Sequence, residues 1–261
     1  FIDVAAHDYW DYIIKLSTDS YNLGFDELNF DYVRYPSDGN MVDISFTHSI
    51  ASEYKGDKQA NLEAFFRYLN EKLDNETLFA AYKHLNTGRA SSTPYTSADL
   101  FGMTTTNFDD LSIGQVQDRA APYFDFIAPM VYPSHYPKSF LGLGNPNDYP
   151  YKVVNYAMAA GVKRMKASTT PMQGFLHTRI GTSTPAVYQK PVFDGNRLRT
   201  WIQDFDYGGD YDAADVRAEI QASYDAGVMS FMIWAPSNIY TQAALKGPGV
   251  YEVSVATSTG R

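Results

Sequence analysis

Gly24-Phe25-Asp26-Glu27-Leu28-Asn29-Phe30-Asp31-Tyr32-Val33-Arg34-Tyr35-Pro36 is the stretch on which the fold turns. Side chains alternate sides along a strand, so Leu28 and Phe30 share one face and Glu27, Asn29 and Asp31 the other. A parallel strand covered by helices on both sides would be apolar throughout. A strand with apolar residues toward helices and acids and amides toward an interior suits a (β/α)₈ barrel of the TIM type. There the C-terminal strand ends supply the site. Ahead of it, Ala6 to Asn22 carries Tyr9, Ile13, Leu16 and Tyr21 near helical spacing, and Gly24 closes the helix.

The pattern repeats outward. Further strands are predicted at Ser97 to Gly102, Asp125 to Tyr132, Leu198 to Phe205 and Val228 to Ala235. Helices are predicted at Leu62 to Leu73, Ile113 to Tyr123, Tyr151 to Lys166 (with Gly161 weakening its end) and Ala213 to Ala226, where Val216, Ile220 and Tyr224 form a stripe. Thr77 to Leu85 is ambiguous. Tyr35 to about Lys58, Asn86 to Thr96 and most of Thr169 to Asn196 read as loop. Strands separated by helices imply right-handed βαβ units. Residues 1–246 are expected to form one barrel-type domain and 247–261 a polar tail. Five strands are too few for a closed barrel. The chain is therefore expected to cover about the last five βα units, the others coming from a further segment of the protein, a second chain or an oligomer. The start at Phe1 reads as processed, trimmed or cut from something longer.

Composition narrows the function. The 261 residues carry 21 Lys and Arg against 30 Asp and Glu, a net charge of −9. Such a chain, with no basic run, is a poor partner for nucleic acid or an anionic membrane. Its longest apolar stretches fall far short of the roughly 20 residues of a spanning helix, so no membrane insertion is expected. The lack of cysteine removes thiol chemistry and cysteine-ligated metals. The five histidines are scattered, and no phosphate-binding, dinucleotide or serine-hydrolase motif is present, so no metal and no cofactor are expected. The acids from Asp204 to Asp215 lack EF-hand spacing and read as a solvated loop. Aromatic residues make up 15% of the chain. They pack cores, and they also make platforms for the C–H faces of sugar rings.

Two carboxylates stand out. Asp31 falls on the polar face near the end of its strand, with Arg34 three residues on to orient it or meet a hydroxyl. Asp99 shares a face with Ser97 and Phe101 on the next strand, where it can oppose Asp31. Paired carboxylates across a scissile bond are the apparatus of glycoside hydrolysis, one protonating the leaving oxygen and the other attacking or activating water. The plainer reading is a structural Asp–Arg pair and a capping Asp. Tyr132, His135, Trp201, Gln203, Trp234 and Asn238, with Glu27 and Asn29, are candidates to line a sugar site. Asp204 is held in reserve as an alternative acid.

Taken in order, these segments resemble one family. The residues are Gly24-Phe25-Asp26-Glu27 with Phe30-Asp31-Tyr32-Val33-Arg34, Ser97-Ala98-Asp99 with Phe101-Gly102, and Thr104-Thr105-Thr106-Asn107. Pro129-Met130-Val131-Tyr132-Pro133-Ser134-His135-Tyr136, Trp201-Ile202-Gln203-Asp204-Phe205, and Trp234 with Ser237-Asn238 complete the set. The chain resembles, from about residue 1 to 245, the glycosyl hydrolase-like domain family once known only as DUF4015. The resemblance implies a TIM barrel distantly related to the amylase-like glycosidases. By that analogy Asp31 takes the place of the nucleophile and Asp99 that of the acid, though amylases carry Glu there. It also implies three βα units before the segment like Phe1 to Tyr21, and an insertion at Leu78 to Thr96. The expected activity is hydrolysis of a bacterial surface or extracellular polysaccharide, by a protein outside the cell or at its envelope. The rivals are a non-catalytic carbohydrate-binding or cell-wall-associated barrel and a structural subunit.

Overall fold

The computed structural model describes residues 2–79 and 92–245. The chain is mixed α/β. Five strands, β1 (Glu27–Phe30), β2 (Tyr95–Phe101), β3 (Phe126–Met130), β7 (Thr200–Gln203) and β8 (Phe231–Trp234), form one curled sheet in the order β1-β2-β3-β7-β8. Every pairing in it is parallel. The sheet is an open half-barrel, and β1 and β8 do not pair with each other. The five strands match the five predicted segments in place. Four are shorter than the sequence periodicity suggested, β2 instead starts two residues earlier, and Asp31 lies one residue beyond the end of β1.

Helices cover the outer face. α1 (His7–Leu23) ends where Gly24 turns left-handed at φ 115° and its N–H returns to Tyr21 O. α3 (Lys58–Leu73) starts on Asp57, whose carboxylate accepts from Ala60 N. It buries Leu62, Phe66, Leu69 and Leu73. α6 (Pro150–Lys166) runs through Gly161 without weakening. A Cβ there would lie 3.2–3.3 Å from Leu198, Gln117 and Thr105, so the glycine permits close packing. α7 (Ala213–Asp225) begins with a capping box between Asp212 and Asp215. That box uses two acids of the expected solvated loop.

Several expectations need correction. The polar loop after Tyr35 contains the short helix α2 (Thr47–Ala51). α4 (Glu76–Phe79) occupies part of the ambiguous segment, whose remainder lies outside the described residues, as do the predicted tail from 247 and most of the expected insertion. The helix expected from Ile113 shrinks to α5 (Gln117–Ala120) and one 3₁₀ turn, Ala121–Tyr123. Leu111, Ser112 and Gly114 all have positive φ, which no helix accommodates. Thr169 to Asn196 is mostly loop, as expected, but it also carries strands that were not foreseen. It holds a three-stranded antiparallel sheet of β4 (Thr169–Thr170), β5 (Thr178–Ile180) and β6 (Val187–Gln189). Strands so short, with polar exposed residues, leave little periodic signal.

Two buried ion networks tie this insert to the helices. Arg119 Nε donates to Glu63 Oε2 at 2.6 Å, while Glu63 Oε1 accepts from Tyr123 Oη and Phe175 N. Asp118 pairs with Arg164 at 3.0 Å and accepts from Thr170 Oγ1. Gly102, just past β2, sits against the end of β3. A Cβ on it would lie 2.3 Å from Met130 O and 2.8 Å from Tyr136 Oη. Gly102→Ala is expected to lower stability by about 3 kcal/mol in urea unfolding, because backbone must move to admit one methyl. An unchanged midpoint would contradict this close approach.

Candidate functional site

The C-terminal ends of the five strands hold most of the predicted residues. The polar face of β2 begins with Ser97 and Asp99, both enclosed. Parallel register sets Asn29 of β1 beside Ser97. Its Nδ2 donates to Ser97 Oγ and to Asp99 Oδ1, each at 2.9 Å. From the other side, two strands away, Trp201 Nε1 donates to the same Asp99 Oδ1 at 2.7 Å. Both donors converge on one oxygen, and Oδ2 has no hydrogen-bond partner among the described residues.

The Asp99 carboxyl is pushed up to about 6, chiefly by burial. The charges of Asp31 and Glu27 push in the same direction, and the bonds from Asn29 and Trp201 pull back. Desolvation penalises the anion, and two neutral donors do not compensate fully. Asp99 thus carries a proton through mildly acidic conditions in which an ordinary aspartate has lost it.

Asp31 contrasts with it. It is exposed, and its Oδ1 accepts from Tyr32 N at 2.7 Å. Tyr32 holds φ 54°, a conformation costly for a bulky residue, of order 1–3 kcal/mol. The chain therefore bends sharply at the rim beside the carboxylate. Arg34 Nη1 donates to Tyr35 O and Ser37 Oγ, and its guanidinium lies over the Tyr32 ring at 5.1 Å. The expected Arg34 grip on Asp31 is replaced by these contacts with the turn. Glu27 pairs with Arg199 Nη1 at 2.6 Å, both half-buried, so this predicted sugar ligand is engaged across the sheet.

The remaining predicted residues divide. Trp234 is 44% exposed and meets Trp201 edge-to-face, centroids 6.3 Å apart. Tyr132 is buried, and its ring contacts His135 and Phe205. Burial and the nearby charges of Asp99 and Asp31 raise its phenol well above the usual range. His135 Nδ1 bonds Ser134 Oγ at 2.9 Å, and burial lowers its basicity. Asn238 is exposed at φ 56° and folds back to Ala235 O.

Gln203 and Asp204 sit differently from the expectation. Gln203 is fully enclosed, accepting from Ser134 N at 3.1 Å and donating to Phe205 O at 3.0 Å. Asp204 accepts from Thr241 N and Thr241 Oγ1 at 2.8 and 2.6 Å, holding the segment after β8 to the end of β7. Both are occupied with shaping loops. No three His, Asp or Glu side chains among the described residues converge as metal ligands.

A family model described as "Putative glycosyl hydrolase domain", DUF4015, matches residues 1–240. The chain belongs to this family. The description of the DUF4015 family names a glycosyl hydrolase domain. No curated protein matches the chain. Among solved structures, one similar chain is the PgaB (BpsB) glycoside hydrolase domain from Bordetella bronchiseptica. It aligns at 14% identity and TM-score 0.39, over 73% of this chain and 42% of that one. The alignment is too loose to transfer residues between the two.

One buried carboxylate of the DUF4015 domain escaped the sequence reading. Glu219 on α7 is fully enclosed. It accepts from Gln203 N at 2.8 Å and from Tyr211 Oη, and burial raises it well above the usual carboxylate range. Its signal was an acid set between Val216 and Ile220 on an apolar stripe. Through Gln203 it braces the loop carrying Tyr132 and His135.

The raised Asp99 fixes a stability prediction. Its folded value exceeds the unfolded one, so the anion costs nothing below about pH 4, and the full penalty is present above about pH 6. Asp99→Asn removes the titration while still accepting from Asn29 and Trp201. Urea unfolding at pH 8 is expected to show the variant more stable by about 2–3 kcal/mol. The gain should shrink as pH falls toward 4.

Proposed function

We propose that the domain hydrolyses a polysaccharide with Asp99 as general acid and Asp31 as nucleophile or base. The observation that carries this reading is the Asp99 environment. A carboxyl with both donors on one oxygen, elevated to about 6 by burial, keeps a proton available for a leaving oxygen. Asp31 remains at the exposed rim and bears on the same site electrostatically. A buried acid with a second carboxylate at the exposed rim matches the two-carboxylate apparatus of glycoside cleavage. Asn29 and Trp201 position the acid. Trp234 and His135 offer ring faces to sugars with Tyr132 packed behind His135, and Glu27, Arg34 and Asn238 stand at the periphery.

The substrate class proposed with this is a bacterial surface or extracellular polysaccharide, as the family resemblance implies, with the protein at the envelope or outside the cell. No helix among the described residues is long and apolar enough to cross a membrane. The two open sheet edges, at β1 and β8, are proposed to pair with further βα units or a second chain. Tyr12, Leu16, Leu23 and Phe25 are exposed beside the β1 edge and suit such a cover.

Reducing-end release from bacterial exopolysaccharides and cell-wall glycans tests the reading. Wild type is expected to release ends, and Asp99→Asn and Asp31→Asn to lose about 10²–10⁴-fold in rate with folding intact. The pH profile of kcat/KM should fall above pH 6 as Asp99 loses its proton. Release by Asp99→Asn at the wild-type rate would remove Asp99 from the chemistry. No release from any glycan would favour a carbohydrate-binding domain.

A further inference from the structure

Beside the carboxylates lies a cleft of about 650 Å³, lined by Trp234, His135, Phe205, Tyr207, Asp206 and Thr241 among others. That volume is in the usual range for a small-molecule site. None of Asp31, Asp99, Trp201 or Tyr132 lines it. The cleft is nonetheless joined to Asp99 through two indoles, because Trp234 packs on Trp201 and Trp201 bonds the Asp99 carboxyl. One sugar ring at Asp99 therefore leaves this cleft empty.

Tyr207 is the feature that makes the cleft a built surface. The residue is 64% exposed, and its ring lies 6.0 Å from the His135 ring, the planes 33° apart. Exposed aromatic rings are ordinary on mobile loops, but this backbone is pinned. The buried Asn147 donates to Tyr207 O at 2.9 Å, and Asn145 donates to Gly208 O at 3.2 Å. Gly208 holds φ +74°, and a Cβ there would lie 3.2 Å from Asn147 Nδ2. Asp206 Oδ1 accepts from Tyr211 N at 2.8 Å, leaving Oδ2 without a partner among the described residues. A held aromatic face with a carboxylate oxygen at its margin matches the C–H face and hydroxyl edge of a pyranose. Holding the loop beforehand removes much of the ordering cost of binding.

We infer that the domain binds its glycan as a chain of at least two sugar rings. One lies at the carboxylates and another in the Tyr207–His135–Trp234 cleft. This rests on the hydrolase reading and adds to it a minimum substrate length and a subsite remote from the bond that breaks. Polymers and oligosaccharides are then the substrates, and isolated monosaccharide glycosides are not.

Two measurements separate this inference from the reading beneath it. In the first, Asp99→Asn protein is run through native gels containing glycol chitin, hydroxyethyl cellulose, xanthan or pullulan. It is expected to be retarded by at least one polymer. Adding Tyr207→Ala should weaken that binding about tenfold, whereas Tyr207→Phe keeps the platform and the retardation. In the second, Tyr207→Ala should raise KM for a polymer substrate about tenfold, with the loss carried mainly by KM. Equal retardation with and without the Tyr207 ring, or no retardation in any gel, would overturn the subsite. Retardation that depends on Tyr207 alongside a wild type that releases nothing would keep the subsite and remove the hydrolase reading.

Discussion

The desolvation of one carboxylate organises this site. Asp99 stands on the most buried strand of the sheet, where water cannot solvate its charge, and the protein supplies two neutral donors in its place. Those donors come from β1 and β7, so a single oxygen links strands on both sides of β2 and its neighbour β3. The arrangement holds only if the strand ends stay in register. That requirement explains why Gly102 must bring β2 against β3 at backbone distance, and why the Glu27–Arg199 pair also bridges β1 to the start of β7. Incomplete compensation keeps the carboxyl protonated further up the pH scale, a property a general acid uses.

Around this centre the loops are built as braces. Glu219 sets Gln203, Gln203 holds Ser134, and Asp204 holds Thr241. Each of these polar side chains is buried and bonded, and Gln203 fixes the loop that carries Tyr132 and His135. Asn147 extends the same logic to Tyr207. Positive φ at Tyr32 beside Asp31 and at Asn238 after β8 shapes the two rim loops nearest the site.

Much of this was legible in the residues themselves. Alternation in Glu27 to Asp31 and in Ser97 to Phe101 set the polar face inward, and the observed bonds between Asn29, Ser97 and Asp99 lie on that face. Five parallel strands were foreseen because each is a short alternating or apolar segment, most of them set between helical stripes. The antiparallel insert was not, since its strands are two or three residues long and exposed. The bonds of Gln203 and Asp204 to neighbouring loops were not legible, since spacing reports only which face a residue takes. Arg34 followed the same pattern, turning to its own loop. Tyr207 carried no periodic signal at all. Its standing depends on anchors more than fifty residues away in sequence, which only the folded chain brings near.

The account depends most on the Asp99 proton. Titrating the protein labelled with ¹³C at aspartate side-chain carboxyls, with Asp99→Asn to assign the resonance, measures it directly. A midpoint near 6 for Asp99 is the predicted result. A midpoint at or below about 4, the value of an unperturbed aspartate, would show an anion already formed in mild acid and contradict its role as the acid.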